Sequence, residues 1–263
     1  MNKMNLATIA AASLLSAAPP AYATATVMAT LTNFHYQVLD LDPTDGIAAA
    51  VSFANGAYVE TYATPDNDIT RDYHSDAGAV GAILSVSSLL GWNSASAGTT
   101  AGDPVGTGAG PGGAAFASVA GANSYARGVA YSLLSSFTLS PHTELVFTAS
   151  TSDVSATGTE LGDTAYALSG VELCTLPDCS SGPSSQGTSY VGVFSDGTTY
   201  SSLSPSVTAS FFNFTNTAMT GTAYAGAYVF ATGVATVPEP ESWALLVAGL
   251  AVLGAVVRRR QFG

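Results

Sequence analysis

The sequence predicts an all-β protein, an antiparallel β-sandwich for which a jelly-roll-like arrangement is one candidate. Only 9% of its 263 residues are charged, so the Glu, Lys and Arg side chains that form exposed helix faces are scarce. Short runs in which small residues alternate with β-branched and aromatic residues are typical of half-buried strands. Turn signals separate about eight to ten such runs, and we find no repeat of the kind that builds solenoids or propellers.

The predicted strands follow one another through a body that spans residues 24–236. They cover residues 26–38, 47–62, 114–120, 125–139, 143–156, 165–176, 189–194, 207–216 and 219–236. Asn55-Gly56 interrupts the second strand with a dipeptide that favours a tight hairpin turn.

Other segments of the body lack a clear strand pattern. Residues 39–46 are predicted to be a turn. Residues 65–76 are polar and acidic, and their cluster of aspartates is expected on a loop. Residues 79–90 are apolar and fit either a strand or a short helix. Residues 94–113 are rich in Gly, Ala and Ser, a composition that buries little apolar surface, so we predict a flexible loop there.

Residues 1–23 are predicted to be a secretory signal peptide. Lys3 supplies the positive charge, and an uncharged apolar run follows over residues 6–18. Ala21 and Ala23 fit the small-residue rule for signal peptidase, so we expect cleavage after Ala23. A membrane anchor is disfavoured because the apolar run is short and two prolines end it. The predicted partners at this step are the Sec translocon and signal peptidase.

Residues 237–263 form a segment with three parts. The first is a rigid acidic turn that contains Pro238, Glu239 and Pro240. The second is an uncharged apolar run over residues 243–257, and the third is the basic block Arg258, Arg259 and Arg260. A buried core helix is an alternative for the run, because membrane spans usually need about 20 residues. We predict a single transmembrane helix, since the run has no polar face and arginines mark a cytoplasmic end.

This order of V-P-E-P, apolar helix and R-R-R resembles the PEP-CTERM sorting signal of exported proteins in Gram-negative bacteria. The resemblance implies that an exosortase, a membrane cysteine transpeptidase, recognises Pro238-Glu239-Pro240 and removes the helix and the arginines. The precursor would be anchored transiently in the inner membrane. The processed protein would then reach the cell surface or the extracellular polysaccharide matrix.

The body is strongly acidic. Four of the six basic residues lie near the chain ends, so only Arg71 and Arg127 remain in the body, against 16 acidic residues and no lysine. Its formal charge is therefore about −14. Nucleic acid is excluded as a partner, because phosphate contacts need clustered Lys and Arg. An acidic surface without lysine suits divalent cations or residence among polysaccharides.

The two cysteines, Cys174 and Cys179, are separated by four residues in C-T-L-P-D-C. An even pair in an exported protein predicts a disulfide, here at the base of a short loop. The alternatives are a redox pair, which usually has the spacing C-x-x-C, and a zinc site, which needs two more ligands.

Calcium is the one cofactor for which the sequence offers candidate ligands. Hard oxygen ligands stand close together in two acidic segments, which contain Asp40, Asp42 and Asp45 and, separately, Asp66 and Asp68. Neither segment has the EF-hand pattern. Asp is also an ordinary turn residue, so structural turns are the alternative at both places.

No catalytic motif is present in the sequence. It lacks the G-x-S-x-G elbow, the H-E-x-x-H helix and the P-loop, no G-x-G-x-x-G fingerprint follows a predicted strand, and its three histidines are far apart. We therefore predict a non-enzymatic exported protein with a structural, adhesive or carbohydrate-associated role. A secreted hydrolase or lectin-like enzyme module on the same sandwich is the alternative. Exposed tyrosines would favour glycan stacking or adhesion, and the candidates are Tyr58, Tyr62, Tyr190 and Tyr200.

Overall fold

The computed structural model describes residues 24–64, 70–121, 123–158, 162–175 and 184–234. These residues belong to one compact unit. The predicted signal peptide (1–23) and sorting segment (237–263) lie outside the described residues. Within the described ranges, no helix is long and apolar enough to cross a membrane.

The described residues form fourteen β-strands in chain order. These strands are β1 (Thr24–Asp40), β2 (Val51–Phe53), β3 (Ala57–Thr64), β4 (Asp72–Gly78), β5 (Ser85–Leu90), β6 (Asn93–Thr100), β7 (Gly112–Ala120), β8 (Ser124–Leu139), β9 (Thr143–Gly158), β10 (Thr164–Thr175), β11 (Ser184–Val193), β12 (Thr199–Ser202), β13 (Ser206–Asn213) and β14 (Met219–Gly233). The all-β prediction is confirmed in this part of the chain.

The strands build two sheets, and the pairing is antiparallel throughout. The six-stranded sheet has the order β13-β9-β1-β7-β6-β5. The eight-stranded sheet has the order β12-β11-β10-β14-β8-β3-β4, and β2 pairs with β8 beside this path. The sandwich is therefore larger than a jelly roll, which has eight strands.

Two strands extend beyond their predicted bounds. β1 has 17 residues and begins at Thr24 and ends at Asp40, and β9 has 16 residues and continues to Gly158. Register shifts interrupt the β1–β9 ladder between Thr32 and His35 and between Met28 and Thr30. Asn33 and Asp153, near these shifts, have φ of 52° and 53°, as bulges that bend long strands require.

The core between the sheets divides into two clusters with different residue sizes. One cluster is almost entirely alanine and valine; it includes Ala117, Ala130 and Ala227. The other contains the large side chains, among them Phe34, Phe137 and Phe147. Since alanine fills little space, the two sheets must approach closely over the alanine cluster.

Two predictions made for individual segments are wrong. Residues 94–113 are not a flexible loop, because β6 and β7 occupy most of this range and only residues 101–111 lie between them. Small residues suffice there because Ala95 and Ala97 are buried in the alanine cluster. The predicted interruption at Asn55-Gly56 is confirmed, because β2 ends at Phe53 and β3 begins at Ala57. It is not a hairpin turn, since β2 and β3 both pair with β8.

The aspartates of the polar segment 65–76 were expected on a loop, but Asp72 begins β4, which pairs with β3 as an edge strand. Solvent-exposed edge strands tolerate such polar residues. For residues 79–90, where strand and helix were both open, the structure has β5 at Ser85–Leu90.

Gly113 of β7 shows how close the sheets come. A Cβ atom there would overlap the carbonyl oxygen of Ala130, which lies on β8 of the facing sheet. We therefore expect Gly113→Ala to lower the free energy of unfolding by roughly 1–3 kcal/mol, because one methyl group must push the sheets apart. Denaturant unfolding measures this change.

Gly108→Ala is the matched control for this prediction, since a Cβ at Gly108 meets no atom within 4 Å. It should leave the unfolding midpoint within experimental error. Equal stability of the two variants would contradict the close approach of the sheets.

Candidate functional site

The outer face of the eight-stranded sheet carries one continuous row of large side chains. Residues directly opposite each other in antiparallel strands point to the same face, so the register identifies the row. From β4 to β12, in strand order, it consists of Tyr73, Tyr62, Arg127, Phe230, Tyr166, Gly192 and Tyr200. A Cβ at Gly192 would lie 2.9 Å from the ring of Phe194, so this ring fills the glycine's place.

Ten of the chain's twelve tyrosines lie on this face, which we call the tyrosine face. They are Tyr58, Tyr62, Tyr73, Tyr125, Tyr131, Tyr166, Tyr190, Tyr200, Tyr224 and Tyr228. The four tyrosines singled out from the sequence are all among them. Sequence reasoning missed the other six, although alanine stands next to every one of them except Tyr73, as in A-Y-A-G-A-Y-V-F-A over residues 223–231.

The alternation separates two kinds of residue to the two sides of the sheet. Ala223, Ala225 and Ala227 are fully buried between the sheets. Tyr224 lies between Ala223 and Ala225 in the sequence, and Tyr228 follows Ala227. Both tyrosines are only partly buried and point outward. Period-2 patterning therefore places the small residues in the core and the aromatic residues towards solvent.

The rings of the tyrosine face contact one another across the strands. Tyr62 and Tyr125 are 5.4 Å apart between ring centroids, with an interplanar angle of 72°. Phe230 continues the contacts, at 6.4 Å from Tyr125 and 6.0 Å from Tyr166. Tyr190 lies 6.4 Å beyond Tyr166. Such pairs hold each other in place, so the face is preorganised.

Arg127 and Glu60 form an ion pair within the tyrosine face. Arg127 Nη2 lies 3.2 Å from Glu60 Oε1, and Tyr58 Oη donates a hydrogen bond of 2.6 Å to Glu60 Oε2. The guanidinium also lies 5.4 Å from the ring centroid of Tyr228, at cation–π distance. Val129, beneath these groups on the same face, is only 1% exposed.

Burial raises the pKa of several tyrosines on this face, namely Tyr125, Tyr131, Tyr166 and Tyr224. The pKa of Tyr58 is raised by burial and also by its hydrogen bond to Glu60. Burial alone would lower the pKa of Arg127, but Glu60 and the tyrosines outweigh it and raise the pKa. At neutral pH these tyrosines are therefore neutral and the arginine is charged.

The first acidic segment supplies part of a candidate metal centre. Asp42, Asp45 and His142 each offer one ligand atom, and these atoms lie within 4.8 Å of one another. Asp40 is not part of this group, and its Oδ1 accepts a hydrogen bond from the backbone N–H of Asp42. His142 was missed because it lies far away in sequence, in the turn between β8 and β9.

The same groups also make ordinary turn contacts. Asp42 Oδ1 accepts hydrogen bonds from the backbone and hydroxyl of Thr44, and Asp45 Oδ1 accepts one from the backbone of Ile47. Asp45 Oδ2 is buried without a hydrogen-bond partner. Asp66 and Asp68 lie outside the described residues, and calcium binding stays a prediction.

The remaining sequence-predicted sites lie wholly or partly outside the described residues. Cys174 is 1% exposed near the end of β10, and its Sγ lies 3.8 Å from the carbonyl oxygen of Thr222. Cys179 is not among the described residues, so the disulfide stays a prediction. The processing and anchoring residues also lie outside them: Ala21, Ala23, Pro238, Glu239, Pro240, Arg258, Arg259 and Arg260.

Residues 236–261 match the family model described as the PEP-CTERM protein-sorting motif. This match confirms the resemblance carried by the C-terminal segment. It marks an exported protein whose membrane-anchored precursor is directed to an exosortase for sorting to the cell surface. No curated protein and no solved structure matches the chain.

The raised tyrosine pKa values predict that the fold loses stability in alkali. Tyrosines of the unfolded chain ionise near pH 10, whereas the raised pKa values of Tyr58, Tyr125, Tyr131, Tyr166 and Tyr224 keep these five side chains protonated to higher pH. The folded state then binds more protons than the unfolded state, so the free energy of unfolding falls as pH rises above about 10. Denaturant titrations at increasing pH measure this slope.

Tyr131→Phe removes one buried ionising group and should make the alkaline slope shallower. Tyrosinate absorbance reports ionisation directly. If these five tyrosines ionised near pH 10 while the chain stayed folded, the tyrosine face would not be packed as described.

If calcium binds at Asp42 and Asp45, it should raise the thermal unfolding midpoint. A free calcium concentration of about 100 times Kd raises the free energy of unfolding by about 2.7 kcal/mol. Asp45→Asn should abolish the shift, while its amide oxygen can still accept the hydrogen bond from Ile47. Asp40→Asn is the control and should keep the shift. An unchanged midpoint in the wild type would leave these residues as turn formers only.

Proposed function

Because the chain carries a PEP-CTERM protein-sorting motif over residues 236–261, we propose that it is a non-enzymatic protein of the cell surface or extracellular matrix that binds polysaccharide. Its path would begin with the Sec translocon and with signal peptidase cleavage after Ala23. An exosortase would then act at Pro238-Glu239-Pro240 and release the body from the inner membrane.

The tyrosine face is the observation that carries the polysaccharide role. Folded proteins rarely expose large contiguous aromatic surfaces unless something binds there. Tyrosine combines a flat apolar ring with a hydroxyl that exchanges hydrogen bonds, so it suits ligands that have both apolar C–H faces and hydroxyl groups. Sugars have this combination.

The carboxylates of the face favour binding over hydrolysis. Glycoside hydrolysis needs two carboxyl groups that flank one glycosidic bond and exchange protons freely. Glu60 holds Arg127 in an ion pair and accepts a hydrogen bond from Tyr58, so both of its oxygens are engaged. Glu172, the other strand carboxylate of this face, lies on β10, several strands away from Glu60 on β3.

Two measurements test the two halves of this proposal. For sorting, the wild type and a variant with Pro238-Glu239-Pro240 replaced by alanines are expressed in a host that has an exosortase. Intact masses from surface, membrane and medium fractions should show a wild type that begins at Thr24 and ends near Pro238. The variant should keep Arg258–Arg260. Pro43→Ala, outside the motif, is the control, and identical processing of all three chains would refute exosortase recognition here.

For binding, the exported chain is mixed with polysaccharide from the same host surface, and unbound protein is measured. The variant Tyr166→Ser/Tyr228→Ser should lose binding by about tenfold or more, since aromatic contacts of this kind contribute on the order of 1 kcal/mol each. The control is Phe212→Ser/Phe214→Ser on and just after β13. These rings are exposed and stacked at 5.4 Å, but they belong to the other sheet. Equal losses in both variants would contradict a site on the tyrosine face.

A further inference from the structure

We infer that the tyrosine face binds an uncharged polysaccharide chain that lies across the strands, along the row from Tyr73 to Tyr200. This inference rests on the proposed polysaccharide role and specifies its ligand class and its direction on the sheet. It depends on three properties of the face: its charge, its repeat and the gaps along its strands.

The charge of the face excludes an acidic glycan. Arg127 is the one basic residue in the row, and Glu60 offsets its charge at 3.2 Å. Glu172, also on the face, leaves a residual negative charge. The body as a whole carries about −14 and has no lysine, so uronate or sulfate groups would meet repulsion without a compensating cation.

The same charge argues against a second copy of this chain as the occupant. Two bodies of about −14 each would have to bring their faces together against mutual repulsion. Each face would also contribute tyrosine hydroxyls and a carboxylate rather than the more apolar surface of a typical homodimer interface. An uncharged polymer meets neither obstacle.

The row repeats at the spacing of the strands. Seven neighbouring strands, from β4 to β12, each place a residue in it, and neighbouring strands lie about 4.8 Å apart. The row therefore extends over roughly 29 Å. Each position but one has an aromatic ring, counting Phe194 above Gly192, and Arg127 fills the exception with a planar guanidinium. A repeating surface of this kind fits a repeating polymer.

The strands themselves do not offer an equivalent path. Along β3, Glu60 separates Tyr58 from Tyr62, and along β14, Gly226 separates Tyr224 from Tyr228. Along β8, the buried Val129 leaves a gap after Arg127. A chain laid along any one strand would lose ring contacts, whereas a chain laid across the strands keeps them.

The ligand class is tested with two polymers that share one backbone. Hydroxyethylcellulose is uncharged and carboxymethylcellulose is anionic, and a soluble galactomannan adds a second uncharged backbone. Affinity electrophoresis of the exported chain should show retardation by at least one uncharged polymer, with apparent affinity at least about tenfold above that for carboxymethylcellulose at low salt. Glu60→Gln should reduce the difference in affinity between the uncharged polymer and carboxymethylcellulose, because Arg127 would then carry an uncompensated positive charge.

The direction is tested with variants of one residue type. Tyr62→Ser and Tyr166→Ser lie in the row and should each reduce the affinity about tenfold. Tyr224 lies on the same face but outside the row, so Tyr224→Ser should change the affinity less than about twofold. Circular dichroism checks that each variant is folded.

The outcomes separate this inference from the function on which it rests. If the wild type binds no polysaccharide, including that of the host surface, the proposed function fails and the inference with it. Preference for carboxymethylcellulose, or equal loss in Tyr224→Ser and Tyr166→Ser, would overturn the inference while the function stands. A concentration-dependent dimer that Tyr166→Ser abolishes would also overturn it, since a second copy would then occupy the face.

Discussion

The close approach of the two sheets over the alanine cluster is the constraint on which the rest of the structure depends. Where Gly113 faces the backbone of Ala130, the gap between the sheets cannot hold one more methyl group. Dense packing with small side chains still removes backbone and methyl surface from water. However, it leaves no interior space for large rings, and the second cluster accommodates only those near Phe34, Phe137 and Phe147.

The tyrosine face follows from this constraint. Over the alanine cluster, small residues take the inward positions of the eight-stranded sheet, so the aromatic residues of the alternation must point outward there. On the outer face these rings remove part of their apolar surface from water by packing against one another. They also cover Val129 and the Arg127–Glu60 pair. The alternation of small and aromatic residues thus produces both the tightly packed inner face and the aromatic outer face of this sheet. A binding surface arises where many proteins have only a solvated face.

The sequence predicted the class of fold because period-2 alternation is strong in β1, β8, β9 and β14. It did not reveal β6, whose small residues have the composition of a loop and become a strand only against the facing sheet. Four tyrosines of the face were singled out, but the row was not, because register between strands that are distant in sequence cannot be read from local patterns. The approach of His142 to Asp42 was hidden for the same reason.

The position of β14 at the centre of the eight-stranded sheet has a consequence for the order of folding. β14 pairs with β10 on one side and with β8 on the other, yet it is the last strand of the described body to be synthesised. Until it emerges, both of its neighbours expose an unpaired edge, and the sheet remains in two parts. Contacts between such distant segments form slowly. A chain that leaves the ribosome or a membrane pore N-terminus first therefore stays unfinished, and suited to passage through that pore, until its C-terminal strand has followed.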